Sequence, residues 1–205
     1  MRDLDKALSD ITAMRSQMAR AAEFRGYGPI TVAATGLLAV IAGALQAHWL
    51  PDPRNEILGY LALWVATATV AVILISVEMV ARTRRIHSGI ADEMIHAATE
   101  QFIPAGVAGA LLTFVLYQYA PQSLWMLPGL WQILFSLGVF ASCRSLPRPL
   151  IAVAVWYLAT GLACVALASD AWVFSPWAMG LPFGLGQWLA AILLQRSFGG
   201  GDGER

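Results

Sequence analysis

The chain has 205 residues, 58% of them hydrophobic and only 13% charged, with a formal net charge of zero. Soluble domains carry about 25% charged residues, so this composition excludes an ordinary water-soluble globule. The neutral balance gives no reason to expect a nucleic-acid partner.

Residues 1–26 come first. Leu4, Leu8, Ile11, Met14, Met18 and Ala21 recur at three- and four-residue steps, which predicts an amphipathic helix with one apolar stripe. Gly26, Gly28 and Pro29 end that pattern. The segment mixes acids and bases without an apolar centre, so a cleaved signal peptide is not expected. Its stripe suits the membrane interface, and its spacing also suits docking onto a partner protein or a second copy of the chain.

Six apolar runs follow, at 27–50, 57–81, 104–120, 124–142, 150–168 and about 172–195. An α-helix of ~20 residues crosses a hydrocarbon layer. The expected fold is therefore an all-α integral membrane protein of six transmembrane helices arranged as three helical hairpins. The N-terminal amphipathic helix precedes this domain, a short cytoplasmic helix lies between spans 2 and 3, and 196–205 form a flexible tail. Every Lys and Arg except Arg54 falls on one side of this alternating map: Arg2, Lys6, Arg15, Arg20 and Arg25 before the first run, Arg82, Arg84 and Arg85 after the second, Arg144 and Arg148 after the fourth, Arg196 and Arg205 after the sixth. Positive charge resists translocation, so both termini are expected in the cytoplasm, with the protein in a bacterial-type inner membrane.

Glu78 is the acid that stands inside an apolar run. A carboxylate in hydrocarbon costs several kcal/mol and is a functional candidate by default. Here Arg82 follows one helical turn later, and structural anchoring is the expectation. Next comes the polar connection 82–103. Ser88 is a plausible N-cap, and Ile90, Met94 and Ala97 or Ala98 form a weak stripe ending before Pro104. It holds His87, Asp92, Glu93, His96 and Glu100, of which Asp92, His96 and Glu100 share a helix face. Glu93-x-x-His96 is the local pattern of di-metal carboxylate sites, but such sites use it twice and here it occurs once. A solvated charged face is expected, with no metal and no cofactor.

The remaining intramembrane polar groups are neutral. Gln46, Gln118, Gln132 and Gln187 sit toward the outward ends of their runs, with Thr67, Thr69 and Thr113 deeper. Gln132 and Gln187 are the candidates for a small polar vestibule; cross-bracing between helices is the plainer expectation. Small residues four apart predict close helix packing at Ala39/Gly43, Ala105/Gly109, Ala159/Ala163 and Gly180/Gly184. The fourth and sixth runs open with Trp, Met, Leu-Pro, Gly, Leu and Gln in the same order, a weak repeat of parallel orientation that the second run, with Gly59, Tyr60 and Trp64, fits poorly. Aromatics crowd the outward half (Trp49, Tyr60, Trp64, Tyr117, Tyr119, Trp125, Trp131, Trp172, Trp177), as an interfacial belt predicts or as a pocket for a quinone or lipid tail would require. Cys143 and Cys164 lie too far apart along the runs to predict a disulfide.

No nucleophile elbow, zinc-protease helix, phosphate-binding loop or glycine-rich nucleotide fingerprint occurs. His48 with Asp52 is an isolated pair. The expectation is a non-catalytic accessory or regulatory subunit that sits in the lipid bilayer and works through its cytoplasmic face. A small transporter or channel, or a lipid- or quinone-binding protein, is the alternative.

Overall fold

The computed structural model describes residues 27–86, 91–143, 146–168 and 174–199. The expected helix over 1–26, along with His87, Arg144, Asp170, Trp172 and the tail beyond Gly199, lies outside them. The described residues are helical and contain no strand. Their long helices are α1 (Pro29–Trp49), α2 (Ile57–Ile86), α3 (Ala91–Tyr119), α4 (Leu127–Ser142), α5 (Ile151–Ala166) and α6 (Pro176–Gly199), with 3-10 turns at Pro121–Met126 and Arg148–Leu150. Six helical stretches are long and apolar enough to cross a membrane.

Prolines set most boundaries. Pro29 occupies the first helical position of α1, where a missing N–H costs nothing, and Gly28 is the extended N-cap. The chain leaves the α-conformation at Leu50 (φ −126°, ψ 68°) and at Ala120 (φ −142°, ψ 56°), each the residue before a proline. Between α1 and α2, Asn55 Nδ2 donates to Asp52 Oδ2 at 2.7 Å and the Glu56 amide to the Asp52 carbonyl at 3.2 Å, closing a tight turn.

Two expectations need correction. The separate helix predicted before Pro104 does not exist as such: α3 runs without a break from Ala91 to Tyr119 with Pro104 inside it. Proline removes one hydrogen bond, to the carbonyl four residues back. That residue, Glu100, is exposed, so solvent can supply the missing donor. The tail is also shorter than expected, because α6 continues to Gly199, with Arg196 in its last turn where the helix dipole favours positive charge. With 30 and 29 residues, α2 and α3 are each about 45 Å long, some 15 Å more than a hydrocarbon layer requires.

Each long helix packs on its neighbours in the chain, and α1 closes the set against α6. The α1–α6 and α4–α5 contacts are the most extensive. Both are made by backbone approaching backbone. A Cβ on Gly36 would stand 2.9 Å from the Gly184 carbonyl oxygen, and one on Gly43 3.1 Å from that of Pro176. The predicted small pairs Ala39/Gly43 and Gly180/Gly184 therefore face one another across this interface. The α4–α5 approach uses two glycines the small-pair pattern did not select: a Cβ on Gly129 would lie 2.7 Å from the Gly161 carbonyl oxygen.

Buried side chains form two clusters, one at each end of the bundle. Val32, Leu150, Val153, Tyr157, Ala190, Ala191 and Leu194 make the first. Ala42, Tyr60, Leu61, Trp64, Leu124, Leu127 and Met179 make the second. Phe135 meets Phe102, Tyr157 and Phe183 edge-on, and Tyr157 meets Phe183 at a tilt, a group of four rings that ties α3 to α6 with centroids 4.7–5.5 Å apart. In contrast, no described side chain of α3 is buried, and among the described side chains of α2 only Tyr60, Leu61, Trp64 and Met79 are.

Candidate functional site

The sixth helix is broken chemically though not geometrically. Pro182 stands inside α6 and cannot donate to the carbonyl of Ala178 four residues earlier. Gln132 of α4 supplies the missing donor: its Nε2 gives one proton to the Ala178 carbonyl at 2.9 Å and the other to the Pro128 carbonyl at 3.1 Å. Other side chains hold the same stretch. Trp156 Nε1 donates to the Pro182 carbonyl at 2.9 Å, and the Tyr157 hydroxyl reaches the Phe183 carbonyl at 3.4 Å. Just upstream, Gln46 Nε2 donates to the Phe174 carbonyl at 2.7 Å while its Oε1 accepts from Trp64 Nε1 at 2.8 Å. Buried backbone groups must find partners, and here α1, α4 and α5 provide them for α6.

Because both partners of Gln132 Nε2 are carbonyls, its amide can face only one way; the reverse orientation would set oxygen against oxygen. Its Oε1 is thereby turned away, and it is fully buried with no hydrogen-bond partner among the described residues. The same holds for the hydroxyl of Tyr60, also fully buried, whose ring meets Phe174 edge-on at 5.1 Å.

Two of the cross-braces repeat. Trp64 Nε1 donates to Gln46 from 18 residues later in the chain, and Trp131 Nε1 donates to Thr113 Oγ1 at 2.8 Å across the same interval. The second run thus matches the fourth through its tryptophan, a correspondence that the missing proline hides. Gln132 and Gln187, which the sequence aligns, occupy different surroundings. Gln187 is half-buried, with its Cβ 3.0 Å from where a Cβ on Gly36 would stand, and it lies nine residues, or about 13 Å, along α6 from Ala178. Gln118 is exposed. The four glutamines do not converge.

Glu78 is at the other end of the bundle. Its carboxylate rests against Gly28, in the place a Cβ there would fill, and its Oε1 lies 3.9 Å from Arg82 Nη1. Gly28 caps α1 without any side-chain bond, so the acid stands beside the positive end of that helix dipole. Oε2 finds no partner among the described residues. Gly28 and Gln46 are 18 residues apart on α1, about 27 Å, so Glu78 takes no part in the glutamine network.

Of the polar cluster, His96 Nδ1 and Glu100 Oε1 are 3.3 Å apart on α3 and both side chains are largely exposed. Asp92 and Glu93 lie on the same helix, but their side chains, like all of His87, fall outside the description. Among the described residues no three His, Cys, Asp or Glu side chains lie together in a way that could hold a metal ion. The predicted outward aromatics differ in exposure, and Trp125 and Trp131 are half-buried. Tyr60 and Trp64 are buried, Trp64 as a brace to Gln46, while Trp49, Tyr117, Tyr119 and Trp177 are exposed. Both cysteines are free thiols. Tyr60, Trp156 and Tyr157 have roles that helical spacing did not disclose. Pro182 was a readable signal for Gln132, since an intrahelical proline announces that the carbonyl four residues back needs a foreign donor. Trp156 and Tyr157 instead serve the Pro182 and Phe183 carbonyls, which nothing local marks. Comparison with protein-family models, with curated proteins and with solved structures returned no match, so the geometry alone carries the functional argument.

Proposed function

We propose that the chain is a multi-pass protein of a bacterial-type inner membrane, three helical hairpins with both termini in the cytoplasm, and that it acts without catalysis as an accessory or regulatory subunit. Two features support its embedding. Six of its helical stretches are apolar enough to cross a bilayer, and α2 and α3 expose Val70, Val72, Ile73, Val77, Val107, Leu111 and Phe114 outward, a surface suited to lipid. One observation carries the accessory role. The charged residues Arg82, Arg84, Arg85 and Glu100, with His96, lie where α2 and α3 extend beyond the length a bilayer needs, while Asp52, Arg54, Glu56, Arg148 and Arg196 stand singly or in short turns elsewhere. A charged helical pair standing out of a membrane is a surface for a soluble or peripheral protein, and residues 1–26 belong to the same face by charge.

Native mass spectrometry of the protein released gently from its membrane tests this. A stoichiometric protein partner that is lost when Arg84→Glu and Arg85→Glu are introduced, at unchanged melting temperature, is the expected result. Homo-oligomers alone, indifferent to those charges, would refute it. A second reading, a small transporter or a lipid- or quinone-binding protein, draws on the two partnerless atoms of Tyr60 and Gln132.

A further inference from the structure

Two of the partnerless atoms, Tyr60 Oη and Gln132 Oε1, belong to the same end of the bundle, away from Glu78 Oε2. Tyr60 belongs to the same buried cluster as Leu127 and Met179, and the two carbonyls that hold the Gln132 amide belong to Pro128 and Ala178, their chain neighbours. Tyr60 therefore packs against the residues next to those that hold Gln132, between α2, α4 and α6, and neither side chain has exposed surface. Neither bonds the other, since both are without a partner.

The chemistry of the two atoms restricts what can satisfy them. Gln132 Oε1 can only accept, because its amide protons are committed to the Pro128 and Ala178 carbonyls. The Tyr60 hydroxyl donates one proton and can also accept. A carbonyl ligand could not donate to Gln132. An ammonium could not accept from Tyr60. A metal cation would need further oxygen ligands or a negative charge. Tyr60 is set among Ala42, Leu61, Trp64, Leu124, Leu127 and Met179, with the Cys164 thiol of α5 as the titratable group near its hydroxyl. No three His, Cys, Asp or Glu side chains lie together among the described residues in a way that could hold a metal ion. A single oxygen that both donates and accepts fits without remainder. A buried hydroxyl or amide oxygen left unsatisfied costs about 1–3 kcal/mol, so two of them in one region is a strong reason for a bound group.

We infer that Tyr60 and Gln132 bind one hydroxyl group between α2, α4 and α6, with Tyr60 Oη donating to its oxygen and that hydroxyl donating to Gln132 Oε1. Its source is either a water molecule or the hydroxyl of a lipid-soluble alcohol such as a quinol. The proposal does not depend on the accessory role, because it concerns the bundle interior and not the charged helix ends.

The test uses the full chain in lipid nanodiscs. A density map at a resolution that resolves water is expected to place one atom within hydrogen-bond distance of both Tyr60 Oη and Gln132 Oε1. Native mass spectrometry then separates the sources: a retained organic mass identifies a lipid-soluble alcohol, and its absence identifies water. Tyr60→Phe provides an independent sign. Removal of an occupied hydroxyl lowers the melting temperature by about 2–4 °C, whereas removal of an orphaned one leaves it unchanged or raises it. A direct Tyr60–Gln132 bond in the map, no density between them, or a Tyr60→Phe variant at least as stable as the parent would each overturn the inference. The map needs no variant, so it decides the matter even if Tyr60→Phe does not fold.

Discussion

Replacing Gln132 by Leu removes the donor that Pro182 makes necessary, and the structure allows the effect to be worked out. The side chains have similar volume, so packing changes little. The lost bond to the Ala178 carbonyl at 2.9 Å leaves that oxygen buried beside a proline that cannot serve it. Interhelical side-chain bonds in bilayers are worth about 0.6 kcal/mol on average, and an unsatisfied buried carbonyl adds about 1–3 kcal/mol. The Pro128 carbonyl loses a longer bond at 3.1 Å. A net destabilisation of about 2–4 kcal/mol follows, or about 4–16 °C in melting temperature for a chain of this size. The discriminating measurement is the same substitution in a Pro182→Ala background, followed by thermal unfolding in nanodiscs. Alanine restores an N–H for the Ala178 carbonyl, so Gln132→Leu should cost half as much or less there. Anything bound at Gln132 Oε1 is lost in both backgrounds and cancels. Equal losses in the two backgrounds would show that Gln132 does not serve the broken helix, and the reasoning would fail.

Gly28→Ala places a methyl group where the Glu78 carboxylate rests, and because that carboxylate ends a flexible side chain it should swing aside, lowering the melting temperature by no more than about 2 °C. Adding Glu78→Ala should return part of that loss, and a double variant less stable than either single one would count against the contact. Gly129→Ala sets a Cβ 2.7 Å from the Gly161 backbone oxygen and should destabilise by about 1–3 kcal/mol, while Gly106→Ala meets nothing within 4 Å and should be neutral or stabilising by up to about 1 kcal/mol. Unfolding curves in which the two alanines act alike would contradict the packing described for α4 and α5.

The positions of the helices were legible because each feature that sets them is local. Apolar runs near 27–50 and 57–81, and prolines at 29, 51 and 121, act on their own stretch of chain. Pro104 misled because a proline is ordinarily a boundary, and only the exposure of Glu100 lets α3 run through it. The small pairs Ala39/Gly43 and Gly180/Gly184 could be read as packing faces, but not as each other's partners, since nothing local states which helices meet. Glutamine as a cross-brace was correctly anticipated at Gln46 and Gln132. The committed orientation of Gln132 was not legible, because it depends on two carbonyls contributed by different helices. The ring group of Phe102, Phe135, Tyr157 and Phe183 escaped notice for the same reason.

The closure of α1 against α6 has a consequence for how the protein is made. From the end of α1 at Trp49 to the start of α6 at Pro176 the ribosome adds 176 − 49 = 127 residues. At about 5–20 residues per second that takes roughly 6–25 s, during which the glycine face of α1 has no counterpart. For that interval Gly36 and Gly43 offer their bare backbone to any small-residue helix nearby. The nascent chain is thus open to mispairing with other chains throughout that interval, until α6 arrives to cover α1.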